Sequence, residues 1–566
     1  MNRKSQVVSF VMMLMVAFIV TSCRARLSPL SQNNFNATPS PLETVGVQVP
    51  VAISGAFPER WFNRNAIVTV TPVLRFEGGE VVGTPHAFQG ENIAGNRTVI
   101  SQRRGGNFTI NESFAFRPEM QNSGLYLRFE TRIRNRHALL PDVRIADGVI
   151  ATSALADALT TTPSVAPDGF QRIIQEQQEA HIMFLINQAN LRQSELNAWG
   201  VQQWMRQVEE SMNDPRRNVS LEISAYASPD GPTAFNERLA QDRERVTNEH
   251  LVRELDRRNI STDIHAHFTS EDWEGFRQLV AASDLQDREL VLRVLEMNPD
   301  PQVREREIRN LSLIFQELAD VILPQLRRSR LIASIEIVGR SNEEILDAWR
   351  NTPNVLSVEE VLYASSLTND PDEIERIYQF VTANFAGDYR GWNNMGTLFY
   401  REGDLTMATQ AFERAAQVSP NASNVNANRA LLALYNRNFT AANEYIGRSA
   451  GATSVNEILG LYHLMQGNYA QAVTAFGNTQ TNNAALAHLL TRDYNRARLT
   501  LEAIQAPDAT TYYLLAVIAA RTNNFNDVMT NLRRSINIDR TKARKALNDL
   551  EFAQYRSNQE FLTLVR

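Results

Sequence analysis

The chain has almost no cysteine and almost no lysine. Its single cysteine, Cys23, allows no intrachain disulfide. Lysine occurs only at 4, 542 and 545, although Lys and Arg together number 57, so arginine carries nearly all the positive charge. Arginine forks suit carboxylates and phosphates. Here they are scattered and offset by 63 acidic residues, for a net charge of −6. That balance lacks the basic surface that nucleic-acid binding needs. A P-loop, a dinucleotide fingerprint and an H-E-x-x-H motif are absent. Two short patterns imitate chemistry. Gly447 to Gly451 reads G-x-S-x-G around Ser449, but the preceding residues have a helical pattern, whereas a nucleophile elbow follows a strand. His265 and His267 alternate on a strand-like stretch with no third ligand at a metal-binding spacing. The expectation is a protein that is not an enzyme and holds no metal and no non-covalent cofactor.

What is present divides the 566 residues into several parts. Asn2-Arg3-Lys4 precedes an apolar stretch from Val7 to Val20, shorter than the roughly 20 residues that span a bilayer. Val20-Thr21-Ser22-Cys23 follows and resembles the bacterial lipoprotein box. The resemblance implies a signal peptide over 1–22 and a diacylglycerol thioether on Cys23, with acyl chains such as palmitate as the only covalent addition. Arg24-Ala25-Arg26 has no acidic residue, which in such lipoproteins implies an outer-membrane anchor facing the periplasm. Residues 23–45 are rich in Ser, Asn and Pro and predict a flexible tether. Between 46 and 150, stretches such as Leu125 to Arg134 alternate apolar with polar, which predicts a β-sandwich. Small polar residues over 151–170 predict a linker, and 171–345 mixes strands and helices as in an α+β domain, with extra helices near 270–325.

From 355 to 566 only helical patterns remain. Trp392, Gly396, Phe399, Ala408, Phe412, Ala415 and Pro420 fall at the signature positions of the tetratricopeptide repeat, which this segment resembles. Small residues at 396 and 408 let two helices pack closely, large ones fill the space between them, and Pro420 ends the second. Degenerate copies follow, with Ala442, Ala472, Ala497 and Val528 at the position of Ala408, and Ile374 with Tyr378 upstream. About six helix pairs are expected, in an all-α solenoid that binds proteins.

The 171–345 segment resembles the OmpA C-terminal-like domain. The similarity rests on His181 to Leu196, on Leu221 to Gly231 and on the stretch from Asn236 through Leu239 and Arg243 to Val246. Members of that family bind peptidoglycan, with an Asp for the ammonium and an Arg for the carboxylate of diaminopimelate. By resemblance Asn236 and Arg243 take the family's Asn and Arg positions, and Ser228 stands where the family has Asp. The combination resembles a group of Bacteroidota outer-membrane lipoproteins that join an OmpA-like domain to tetratricopeptide repeats. The implied function is a non-enzymatic bridge from the outer membrane to peptidoglycan and to envelope proteins. The alternative is an assembly scaffold without wall binding.

Overall fold

A computed structural model describes residues 27–566, which form two compact units. The lipoprotein box and Cys23 lie outside the described residues. One unit joins residues up to Pro167 with Pro371–Arg566, and the other is Asp168–Asp370.

In the first unit, β1 (Phe35–Thr38), β2 (Leu42–Glu43), β3 (Gln48–Phe57), β4 (Ala66–Phe76), β5 (Gly79–Val82), β6 (His86–Gly90), β7 (Thr98–Ile100), β8 (Gly106–Ala115), β9 (Ser123–Ile133), β10 (Arg136–Asp147) and β11 (Val149–Ile150) form the N-terminal part. One sheet runs β1-β3-β8 and another β10-β9-β4-β6-β7, with β5 also on β4. Alternation does the sorting. Val49, Val51 and Ile53 of β3 and Leu125, Leu127 and Phe129 of β9 enter one shared core. The central strand β4 is buried on both faces but contains Pro72, which has no N–H to donate. Pro72 falls where β4 changes partner, from β6 (Ile67 to Val70) to β5 (Val73 to Phe76), so the ladder tolerates it. Here the structure departs from the expected tether over 23–45. Leu30, Phe35, Ala37 and Leu42 are buried in the sheet core, and β1 pairs with β3. Four apolar side chains at these positions outweigh the polar composition between them.

The C-terminal part of this unit is a stack of helix pairs: Tyr389–Glu402 with Leu405–Val418, Ser423–Tyr435 with Phe439–Gly447, Val455–Met465 with Tyr469–Phe476, Asn482–Leu490 with Tyr494–Glu502, and Ala509–Arg521 with Phe525–Ile538. Helix Pro371–Asn384 precedes them, and three short helical segments follow. The pairs keep one internal register despite unequal spacing. Each turns through a residue with positive φ, at Gly403, Arg437, Gly467, Arg492 and Asn523. The next residue is Asp404, Asn438, Asn468, Asp493 or Asn524, and four of these five side chains cap the second helix by accepting a backbone N–H. A left-handed stop followed by an N-cap makes a tight helical hairpin. Gly396 and Gly460 sit where the paired helices touch. A Cβ there would lie 2.6 Å from the rings of Phe412 and Phe476 respectively.

In the second unit, β12 (Ile173–Met183), β13 (Arg217–Tyr226), β14 (Ile264–Thr269) and β15 (Arg328–Val338) form one sheet in the order β12-β15-β13-β14. β13 and β14 are parallel, as a strand–helix–strand crossover requires. Helices Trp199–Met212 and Thr233–Arg257 bury Trp204, Val208, Leu251 and Leu255 against the sheet. The helices of the insertion, from Trp273 to Leu326, have a separate apolar core around Phe276, Val280, Leu318 and Ile322. Helices Asn342–Asn351 and Val358–Ala364 also belong here, and Phe170 stacks on Tyr363 at 4.5 Å. The helical stack therefore starts at 371 rather than at 355. Among the described residues no helix is long and apolar enough to cross a membrane.

Gly396→Ala should destabilise the first unit by about 1–3 kcal/mol, because overpacking forces the Phe412 ring aside. Gly387→Ala, with nothing within 4 Å of its added Cβ, should leave the thermal unfolding curve almost unchanged.

Candidate functional site

Residues 151–167 leave the sandwich and run along the first helices of the pairs. They are not a free linker. Ala158, Thr161, Ser164 and Ala166 are buried, and Ala158 belongs to the apolar cluster of the helical stack. After a short 3-10 helix over Thr152–Leu155 the segment has no regular structure, and where it is buried its backbone groups must find partners. Three asparagines provide them, each holding both polar groups of one residue. Asn394 Oδ1 accepts from Ala166 N at 2.7 Å while its Nδ2 donates to Ala166 O at 3.0 Å. Asn428 does the same to Ser164, at 2.7 and 2.8 Å. Asn483 does so to Asp157, at 3.0 and 2.8 Å. The primary amide suits the task, since it presents one acceptor and a donor side by side. Asn393 Nδ2 adds a bond to Ser164 O, Asn424 accepts from Ser164 Oγ, and the Tyr400 hydroxyl donates to Ala158 O. The six clamp bonds of Asn394, Asn428 and Asn483, at about 1 kcal/mol each, give roughly 6 kcal/mol.

The clamps share one repeat position. Asn394, Asn428 and Asn483 each lie two residues before the small residue of a first helix (Gly396, Ala430, Ala485). In the third pair that place is taken by Ile458, before Gly460. No amide is available there, and the strap turns, with Thr161 N donating to Ala158 O at 3.0 Å. Beside this turn stands Glu457. The Thr162 backbone amide faces its carboxyl, while its buried Oε1 has no partner. Burial pushes the Glu457 carboxyl up to about 7. The asparagine clamp escaped the sequence reading, although its signal is there: Asn at one fixed distance from the small repeat residue.

The repeat-signature residues come together as expected from their spacing. Ala408, Phe412 and Ala415 are buried in the second helix, and Phe399 packs against the same cluster. Trp392 packs beside Ala415 and Ala416.

In the second unit Ser228, Asn236 and Arg243 are all buried near the end of β13. Asn236 Nδ2 donates to Gly231 O at 2.9 Å and closes the Pro229-Asp230-Gly231 turn. Arg243 is fully buried. It donates to Tyr226 O, Gln188 O and Leu185 O at 2.8, 3.0 and 3.2 Å, and its guanidinium lies over Phe184. Burial, then repulsion from Arg327, lowers Arg243 to about 10. Ser228 Oγ donates to Asp230 Oδ1 at 2.6 Å. Arg327, just after the insertion helices, donates to Ser228 Oγ at 3.2 Å and to Asp230 Oδ2 at 3.1 Å. Sequence reading missed Arg327, which meets Asp230 across 97 residues. Ser449 is buried and donates to Ile446 O, and His267 shares a hydrogen bond with Ser224. No group of three or more His, Cys, Asp or Glu among the described residues is placed to hold a metal.

Residues 389–422 match the family model for the tetratricopeptide repeat. Among solved structures, the chain is similar to a tetratricopeptide repeat protein from Parabacteroides merdae, at 14% identity and a TM-score of 0.29, covering 40% of this chain and 90% of that one. It is also similar to the APC/C hetero-tetramer Cut9-Hcn1, at 12% identity and a TM-score of 0.33, covering 59% and 68%. A search of curated proteins gives no match. The chain thus contains a tetratricopeptide repeat within a helical array of that type.

The raised Glu457 carboxyl makes stability pH-dependent. Below its ordinary value near 4.5 the group is protonated folded or unfolded and has no effect. Between 4.5 and about 7 only the unfolded chain releases the proton, so stability falls as pH rises and then levels off. Glu457→Gln should raise the unfolding free energy at pH 8 by on the order of 2 kcal/mol and leave it unchanged at pH 4, as read by denaturant titration at both pH values.

Proposed function

We propose that this protein is a non-catalytic assembly scaffold, tethered to the outer membrane through a lipid on Cys23, whose tetratricopeptide array gathers envelope proteins on the periplasmic side. The repeat array carries this reading. Stacked helix pairs expose a long surface made of the same element repeated, the usual basis for binding proteins. The second helices of the pairs leave Met407 and Leu499 exposed, apolar side chains that a partner can cover. The Val20-Thr21-Ser22-Cys23 box supports the anchor. The covalent lipid is the only added group the reading needs, and nucleic acid has no place in it.

The bridge to peptidoglycan ranks second. It asks an Arg to take a carboxylate and an acidic group to take an ammonium. Arg243 already donates to three backbone carbonyls, and Asp230 already has Arg327 as its cation. Ser228 and Asn236 are bonded within the same turn. The constellation resembles a ligand grip whose contacts are all made by the chain itself, which favours a scaffold without wall binding.

Photo-crosslinking residues placed at Met407 and Leu499 in cells should trap specific envelope proteins, and an absence of adducts at both would contradict the scaffold. Cys23→Ala should move the protein from the membrane to the soluble fraction. The native protein should stay in the supernatant when sacculi are sedimented. Co-sedimentation that Arg243→Ala removes without unfolding the domain would instead establish the bridge.

A further inference from the structure

The clamps on residues 157–166 act chiefly on backbone: Asn394 and Asn428 bond only main-chain groups of the strap, and Asn483 adds the Thr160 and Thr161 hydroxyls at 3.3 Å to its backbone pair. Asn394, Asn428 and Asn483 recognise an N–H and a C=O on one residue, which any L-residue except proline supplies. Side-chain selection is by size and, at one place, by a hydroxyl: Ala158, Ser164 and Ala166 are buried, and Ser164 Oγ donates to Asn424 Oδ1 at 2.6 Å. The strap is held mainly by hydrogen bonds. Ala158 is its only residue among the buried members of the apolar cluster, with Leu155 and Ala156 packed at its margin. Another extended backbone would reproduce the same backbone bonds. At one point the strap leaves the groove unsatisfied. Glu457 Oε1 is buried without a partner, and the strap offers its carboxyl only the Thr162 amide. The ionisable group coupled to Glu457 is the Tyr400 hydroxyl, which carries no positive charge. Among the described residues no cation answers the carboxyl.

We propose that the inner groove of the array is a peptide site occupied in cis by residues 156–167, and that its trans ligand is an extended protein segment of small residues with a lysine or arginine opposite Glu457. The cation would supply the donor that Glu457 lacks, and a charge-assisted bond in a buried place is stronger than a neutral one. The strap is then a resident competitor, and a partner segment binds as the strap leaves. This rests on the scaffold reading and adds to it the chemistry of the partner.

The test uses the full chain with Ser164→Pro and Ala166→Pro. These changes remove the two N–H groups that bond Asn428 and Asn394 and the Ser164 hydroxyl bonded to Asn424, while every side chain of the groove itself is unchanged. Two labelled peptides are titrated by fluorescence anisotropy: the sequence of residues 156–167, and the same with Thr162→Lys. The strap variant should bind both, the lysine peptide at least tenfold more tightly. That preference should vanish when Glu457→Gln is added. The native chain should bind each peptide at least tenfold more weakly than the strap variant. A strap variant with native helical content that binds neither peptide, or shows no preference for lysine, overturns the proposal. If that variant does not fold, hydrogen exchange on the native chain decides. The Ser164 and Ala166 amides should exchange well before the helices of the array, and exchange only together with those helices overturns displacement. Peptide binding without crosslinked partners in cells would fault the scaffold reading alone. Crosslinked partners without peptide binding would fault the groove assignment alone.

Discussion

The two-pronged bond between an asparagine side chain and the backbone of one strap residue is the interaction on which the first unit depends. A segment with little apolar surface cannot be held in a protein interior by the hydrophobic effect. It can be held there if every buried N–H and C=O finds a partner. Asn394, Asn428 and Asn483 provide those partners at equal places in the first, second and fourth pairs. Where the third repeat has Ile458 instead, the strap bends and serves its own backbone. The paired residues are 228 to 326 apart in sequence, with the whole second unit lying between strap and array along the chain. Such contacts form late and close a long loop. Further bonds join the sandwich to the array in the same unit. Gly46 N donates to the Tyr469 hydroxyl at 2.9 Å, and Arg521 pairs with both Glu43 and Glu551.

The second unit handles buried polarity in the same way. Arg243 is fully buried, which would be costly for an unpaired cation. Three carbonyls and an aromatic face surround it, and its role is to fix the Leu185–Gln188 loop against the end of β13. Just after the insertion, Arg327 pairs with Asp230 and Arg328 with Asp272, so the extra helices are fastened to the sheet domain at both ends.

Much of this was legible in the sequence, and the parts that were not share a cause. Local periodicity showed the strands of the sandwich and the register of the repeats, because both patterns repeat within a few residues. The N-cap after each left-handed turn is equally local, and in Asp404, Asn438, Asp493 and Asn524 it fixes the frame even where Trp392 and Pro420 have no counterparts. Burial of Leu30, Phe35, Ala37 and Leu42 and of the strap was not visible, since Ser-, Asn- and Thr-rich stretches look solvated until distant partners are known. The same holds for Arg327 and Asp230. A polar residue declares its charge in the sequence, but the group that satisfies it is chosen by the fold.

The most direct measurement is calorimetry of the full chain carrying Asn394→Ala, Asn428→Ala and Asn483→Ala together. If the clamps hold strap, sandwich and array as one body, the transition of the first unit should move down by many degrees and split, with the sandwich melting apart from the array. A first-unit transition that keeps its temperature and its single step would contradict the account.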